Sequence, residues 1–311
     1  MGTVVERTGA CQQPSRGKAR SRATPPPRML FFGMPCAFSL PPLRACIAAG
    51  CDIRAIVIPD QSAGATPIAA LATAHAIPLL TIRDPLDPAS LARLAALQPE
   101  LIAVACFPYR LPGTLRALPR LGCLNVHPSL LPLGRGPEPI FWTLRRGERR
   151  TGVTVHLMDE GFDTGPILTQ ASLEIPPAIR APVLEARLAH LGAKLLVATI
   201  DAIRADQTRP QPQETAAATT APRPNAADWL VPTNLPATWA HNFVRGVAPL
   251  GGPLTLLVAR TGEYFPLRDA LQLDPVGVLA APVIHAGTTL WAQFTPGTVR
   301  FRRAPAPPGG V

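Results

Sequence analysis

Between residues 29 and 106 the chain alternates short apolar runs with stretches of helical period, and nothing else in it restricts the fold as much. The apolar runs fall at 29–33, 53–58, 79–82 and 101–106, with helical patterns at 38–49, 67–75 and 88–96 between them. Gly33 closes the first strand and Gly50 the first helix. Pro41 and Pro42 suit that helix's first turn, where a backbone N–H has no intrahelical partner to lose. Strands joined through helices pair in parallel and are covered on both faces, with ligands taken at their carboxyl ends. The predicted fold is therefore α/β, with a mostly parallel, Rossmann-like sheet and helices on both faces. No G-x-G-x-x-G and no P-loop occurs, so neither a nicotinamide nor a nucleoside triphosphate is signalled.

Further along, residues 113–118 and 137–146 read as helices, 151–158 as a strand with one buried face, and 182–203 as the longest helix. Residues 207–224 are polar and rich in alanine and proline, which marks a linker. Beyond it the texture changes: a helix at 237–247, then short β-like runs at 254–260, 263–267, 277–282, 289–294 and 298–303. Short strands with glycine turns predict a small barrel or sandwich. The chain thus divides into a tail (1–28), a first domain (29–206), a linker (207–224) and a β-rich second domain (225–311), and 311 residues suffice for two cores.

A hydrophobic content of 47% excludes a largely disordered chain. Half of the net charge of +10 sits in residues 1–28, where Arg7, Arg16, Lys18, Arg20, Arg22 and Arg28 face only Glu6; this tail is expected to be disordered. The six cysteines (Cys11, Cys36, Cys46, Cys51, Cys106 and Cys123) form no C-x-x-C and no metal-type spacing with histidine. Cys106 and Cys123 lie in apolar runs and are expected as buried free thiols, which favours a reducing cytoplasm. No apolar run reaches the ~18–20 residues that span a bilayer.

Chemistry concentrates between residues 123 and 168. Asn125 and His127 end a short apolar strand two positions apart, so their side chains share a face. Asp163 sits in a turn between Gly161 and Gly165, and a neighbouring strand at 151–158 would bring its carboxylate to the imidazole. An amide that donates to developing negative charge, an imidazole that carries a proton and a carboxylate that orients it suit acyl transfer to an amine. Spacing alone leaves open a purely structural role for all three. Ser129 beside His127 raises a hydrolase reading, but no G-x-S-x-G elbow is present and Ser129 follows a proline. Residues 107–112 read either as a site edge or as a plain strand-to-helix loop.

Three blocks occur in order: Asn125-Val126-His127-Pro128-Ser129-Leu130-Leu131-Pro132 with Arg135-Gly136, then Thr151-Gly152-Val153-Thr154, then Asp159-Glu160-Gly161-Phe162-Asp163-Thr164-Gly165. Together they resemble the 10-formyltetrahydrofolate-dependent formyltransferase family, over residues 29–205 and more weakly to the C-terminus. The resemblance implies that Asn125, His127 and Asp163 hold the catalytic positions. It implies that Ser129, Leu130, Leu131 and Pro132, with Phe107, Tyr109, Leu111, Gly161 and Phe162, line the folate site, and that no metal is needed. In that reading the Asn125 amide and a protonated His127 stabilise the oxyanion, and Asp163 raises the imidazole pKa. The order of parts is most like that of members acting on methionyl-tRNA, whose C-terminal domain is an OB-like barrel that grips the tRNA. Two departures keep a small amine such as a nucleotide-linked amino sugar, or a non-catalytic folate-binding relative, in view. The loop at 60–66 has no lysine or arginine, and the second domain's cations are scattered apart from Arg300, Arg302 and Arg303.

Overall fold

The computed structural model describes residues 25–64, 66–83 and 87–305; the basic tail expected at 1–28 lies outside them up to residue 24. Along β1 (Arg28–Gly33) successive side chains enter two different cores, Met29 and Phe31 on one face and Leu30 and Phe32 on the other. Burial on both faces is why this strand reads as an unbroken apolar run. Each such side chain removed from water contributes about 1.5–3 kcal/mol.

The chain continues through α1 (Leu40–Ala48), β2 (Asp52–Pro59), α2 (Pro67–Ala74), β3 (Leu79–Ile82), α3 (Pro88–Ala96), β4 (Leu101–Ala105) and α4 (Gly113–Arg116). It then forms β5 (Cys123–His127), α5 (Pro139–Arg145), β6 (Arg150–Leu157), β7 (Ile167–Glu174) and α6 (Ala181–Arg204). These strands make one sheet in the order β3-β2-β1-β4-β5-β6-β7. The first five pair in parallel, whereas β6 and β7 are antiparallel additions. Residues of α1, α2 and α6 pack in the core that holds Met29 and Phe31; Leu94 of α3 and Leu115 of α4 fill the other. α6 lies close over β5 and β6 at Gly192, where an added Cβ would stand 2.7 Å from Val126 Cγ1.

Four points depart from the sequence reading. β7 goes unread in the sequence because none of its residues is fully buried, so its pattern is faint. β6 was expected to bury one face, yet Thr154 and His156 are as buried as Val153 and Val155, since the site covers their side. Cys106 is exposed rather than buried, because it lies one residue past β4 in a left-handed conformation (φ 56°). The fourth concerns 277–282, which forms no strand. There Leu279 N–H donates to Gln293 Oε1 and Gln293 Nε2 donates to Gly277 O, and pairing begins only at Val283.

The remaining elements are β8 (Leu230–Pro232), α7 (Ala237–Val247), β9 (Thr255–Leu257), β10 (Tyr264–Asp274), β11 (Val283–Ala286), β12 (Thr289–Gln293) and β13 (Thr298–Arg303). They form a second, mostly antiparallel sheet in the order β11-β12-β13-β10-β9-β8. It joins the first through aromatic packing: the Phe141 ring of α5 lies 4.9 Å from Trp229 and 5.9 Å from Phe243, and Trp239 Nε1–H donates to Arg145 O at 2.9 Å. The segment expected to be a linker is not a free tether. Ile167 and Gln211 exchange backbone hydrogen bonds at 2.8 Å, Arg135 N–H donates to Thr219 O and Glu138 N–H to Ala221 O. Residues 211–221 thus lie as a strap against β7 and the loop after β5. Among the described residues no helix is long and apolar enough to cross a membrane.

Candidate functional site

Asn125 and His127 occupy alternate positions of β5, and the antiparallel register sets them opposite His156 and Thr154 of β6. Facing residues of an antiparallel pair point the same way, so these four side chains share one side of the sheet. Val126 and Val155 turn to the other and pack in the core. The turn from β6 to β7 supplies Asp163. There Asp159 Oδ1 accepts from Gly161 N–H at 3.0 Å and from the Thr164 hydroxyl at 2.6 Å, fixing the bend. Gly165 is required because a Cβ would meet Leu157 O, and Asp163 itself stands at φ 56°, a conformation that aspartate tolerates better than most residues.

Asp163 is the meeting point. Its Oδ1 accepts from Asn125 Nδ2–H at 3.1 Å and lies 3.5 Å from His156 Nε2; its Oδ2 accepts from Gly136 N–H at 2.9 Å and lies 3.6 Å from His127 Nδ1. Carbonyl partners assign the tautomers. His127 Nε2–H donates to Gly134 O at 2.9 Å, leaving Nδ1 toward the carboxylate. His156 Nδ1–H donates to Leu157 O at 2.8 Å, so its Nε2 accepts from the Asn125 amide at 3.2 Å. Both Asn125 N–H groups are therefore engaged. The strap completes the turn: Gln213 Nε2 donates to Asp163 O at 2.9 Å and Gly165 O at 2.8 Å, while Arg135 Nη2 donates to Gln213 Oε1 at 2.7 Å.

The electrostatics follow from burial. Burial alone would raise the Asp163 carboxyl, but His127, His156 and the Gly136 N–H outweigh it and hold the group well below the carboxylate range. His127, only 4% exposed, is held below its ordinary value because desolvation outweighs the attraction of Asp163. This corrects the expectation of a resting imidazolium: Asp163 does pull the imidazole upward, but not far enough to keep it charged in so dry a place. At neutral pH the arrangement is a carboxylate beside a neutral imidazole whose Nδ1 is free to take a proton.

The residues expected around the folate divide into two groups. The 129–132 loop is clamped by Thr154, which donates to Ser129 O at 2.7 Å and accepts from Leu131 N–H at 3.1 Å, and by Gln170 Nε2, which donates to Leu131 O at 2.9 Å. Leu131 is buried, and its bond to Pro132 is cis. Ser129 is buried with its hydroxyl donated to Leu133 O, which removes it as a nucleophile. Leu130 lies against β6, where a Cβ on Gly152 would collide with Leu130 Cδ2. On the other side, Phe107 sits edge-on to Phe32 at 5.2 Å and to Tyr109 at 5.5 Å. Arg110 lies 5.4 Å over the ring of Phe162, which is 67% exposed and adjoins exposed Gly161. Loops after β4 and β6 thus meet. Leu111 departs from the expected group: it is buried in the core with Leu115 and lines no open surface.

His156, Gln170 and Gln213 carry no signal of their own in the sequence. The alternation of β6 does place His156 on the face of Thr154, but its contact with Asn125 exists only through the pairing register. A groove of about 910 Å³ between α1 and α6, lined by Leu40, Arg44, His190 and Lys194 among others, contains none of the trio.

The class this fold and site define is the formyltransferases: a family profile described as Formyl transferase matches residues 57–200. The chain is 41% identical over 254 residues to a methionyl-tRNA formyltransferase of Syntrophus aciditrophicus, covering 79% of this chain and 81% of that protein. It is 35% identical over 304 residues to that of a Roseiflexus species, covering 90% and 91%. It belongs to the methionyl-tRNA formyltransferase family. Among solved structures, the Helicobacter canadensis N-formyltransferase in complex with folinic acid and dTDP-3-aminofucose shares the fold, with a TM-score of 0.68 at 14% identity over 89% of this chain and 98% of that one. HypX from Aquifex aeolicus gives 0.61 at 15% identity, this chain spanning 44% of its length.

Proposed function

We propose that this protein transfers the formyl group of 10-formyltetrahydrofolate to the amino group of methionyl-tRNA, in the cytoplasm, at translation initiation. The observation that carries the reading is the convergence of Asn125, His127 and His156 on the carboxylate of Asp163. Kinship with the named relatives supplies the acceptor. Phe107, Tyr109, Gly161 and Phe162, together with the 129–132 loop, form the walls proposed for the folate.

In the proposed chemistry the free amine attacks the formyl carbon and negative charge gathers on the formyl oxygen. The Asn125 amide turns one N–H from its present partners to that oxygen; a donor so placed is worth roughly 3 kcal/mol. The attacking nitrogen gives up a proton, which His127 Nδ1 takes as the neutral base that burial makes it. Asp163 stabilises the resulting imidazolium across 3.6 Å. The same proton is returned to N10 as its bond to carbon breaks, leaving the formylated amine and tetrahydrofolate. The Gly136 N–H holds Asp163 in place and ionised, and His156 orients the Asn125 amide beside it.

Incubation with 10-formyltetrahydrofolate and methionyl-tRNA should yield formylmethionyl-tRNA; its absence, with active donor and acceptor, would refute the assignment. One observation favours a second acceptor class. The turn after β2 is short, and its only charged residue, Asp60, is bound to Arg83 at 2.7 Å, so it presents no free cation to RNA. A nucleotide-linked amino sugar is the acceptor to test in parallel.

A further inference from the structure

Two cysteines that formyl transfer does not use lie together at the carboxyl edge of the parallel sheet. Cys36 follows β1 and Cys106 follows β4, neighbouring strands in which Gly33 pairs with Ala105. Cys106 is exposed and Cys36 half-buried. Ser39 ties the two loops: its Oγ lies 3.5 Å from Cys36 Sγ and donates to Ala105 O, the residue before Cys106. The Cys106 thiol and the backbone N–H groups of Ser39 and Phe38, at the amino end of α1, lie beside the Cys36 sulfur. These donors outweigh burial and hold the Cys36 thiol well below its ordinary value. Its interaction with Cys36 and the desolvation of its sulfur push the Cys106 thiol up, and the negative charges of Glu185 and Glu138 add to this.

A second pair, Cys46 and Cys51, resembles the first in that one thiol, Cys51, is held below its ordinary value by the other, but it differs in place. It lies at the carboxyl end of α1, where the helix dipole disfavours a thiolate, and Cys46 is buried. Cys36 lies at the opposite, favourable end, next to an exposed partner.

We infer that Cys36 and Cys106 form a peroxide-reactive dithiol, with Cys36 as the attacking sulfur and Cys106 as the resolving one. The oxidant is a hydroperoxide. The Cys36 thiolate attacks its terminal oxygen; the S–O bond forms, the O–O bond breaks, and the leaving oxygen takes up a proton as water or an alcohol. The Cys106 sulfur then attacks the sulfenic sulfur; the S–S bond forms, the S–O bond breaks, and hydroxide leaves with the Cys106 proton as water. Two thiols supply the two electrons, and a dithiol reductant reverses the change. The inference does not depend on the formyl-transfer reading.

The test is peptide mapping of the full chain after brief exposure to hydrogen peroxide and alkylation of the remaining thiols. Trypsin places Cys36 in residues 29–44, Cys106 in 94–110, Cys46 and Cys51 together in 45–54, and Cys11 in 8–16. The expected result is a cross-linked 29–44/94–110 species that dithiothreitol abolishes. In Cys106→Ser, checked for an unchanged melting curve, a dimedone adduct should accumulate on 29–44 instead. Peptides 29–44 and 94–110 left unlinked in the wild-type chain would overturn the proposal. So would a bridge from Cys36 to Cys11, or oxidation confined to 45–54; the wild-type map decides even if the variant misfolds.

Discussion

At the level of single residues the site turns on one carboxylate that is largely buried yet ionised. Asp163→Asn keeps the left-handed backbone, which asparagine also tolerates, and keeps one acceptor oxygen for Gly136 N–H, but loses the charge that steadies a proton on His127. Turnover should fall about 10²–10⁴-fold with little change in donor affinity; steady-state kinetics with an independent binding measurement separates the two. His127 also ties stability to pH. Its folded pKa lies below the ordinary value of 6.5, so on acidification the unfolded chain binds a proton before the folded one does. The stability it contributes is present above 6.5 and is lost as pH falls from there toward the folded value, at up to about 1.4 kcal/mol per pH unit. His127→Gln should flatten the melting temperature between neutral and mildly acid pH; His241, depressed by its own burial, stays in both proteins, so the difference isolates His127. An equal slope in both would remove His127 as the cause. Strand parity made Asn125 and His127 legible as a pair from their spacing. His156 needed the register of a partner strand, which no local pattern carries.

At the scale of elements, the turn after β6 does not stand by itself. It is gripped from the strap through Gln213, and Gly136 donates to it from the opposite loop. Gly136 stands at φ 119°, and a Cβ there would lie 2.9 Å from Ala221 O, so only glycine lets the strap close over the loop after β5. Gly136→Ala should destabilise by roughly 1–3 kcal/mol and lower turnover as well, because strap and carboxylate move together. An unchanged denaturation midpoint would show that the strap is not seated as described. The strap also marks the limit of reading elements from pattern. Its proline, alanine and threonine content is that of a tether, yet Thr219 and Ala221 find backbone partners far away in sequence, at Arg135 and Glu138, and composition does not encode such pairings. β7 was hidden for a related reason: an edge strand that buries little shows little alternation. β1, β2 and β4, buried on both faces, announced themselves.

At the scale of the whole molecule, the question is what surface meets a polyanion as large as tRNA. The turn after β2 offers no unpaired cation, and half of the net positive charge lies in residues 1–28. On the second sheet, β13 exposes Arg302 and Arg303, and Arg268 is exposed on the neighbouring β10. Among the described residues neither Arg302 nor Arg303 has an ion-pair partner, in contrast to Arg180, which is held by Asp269 at 2.7 Å. Aromatic packing of Phe141 on Trp229 and Phe243 fixes this sheet to the first, so a ligand bound there keeps a set position relative to the site. If this sheet meets the tRNA backbone, replacing Arg302 and Arg303 by alanine should weaken tRNA binding and flatten the dependence of log affinity on log salt by about one for each phosphate no longer neutralised. Formylation of a small amine should be unaffected, since neither arginine belongs to the proposed catalytic set. Binding measured over a range of salt concentrations decides: an unchanged slope would move the tRNA-binding surface elsewhere, and the uncharged turn after β2 would then weigh in favour of the small acceptor.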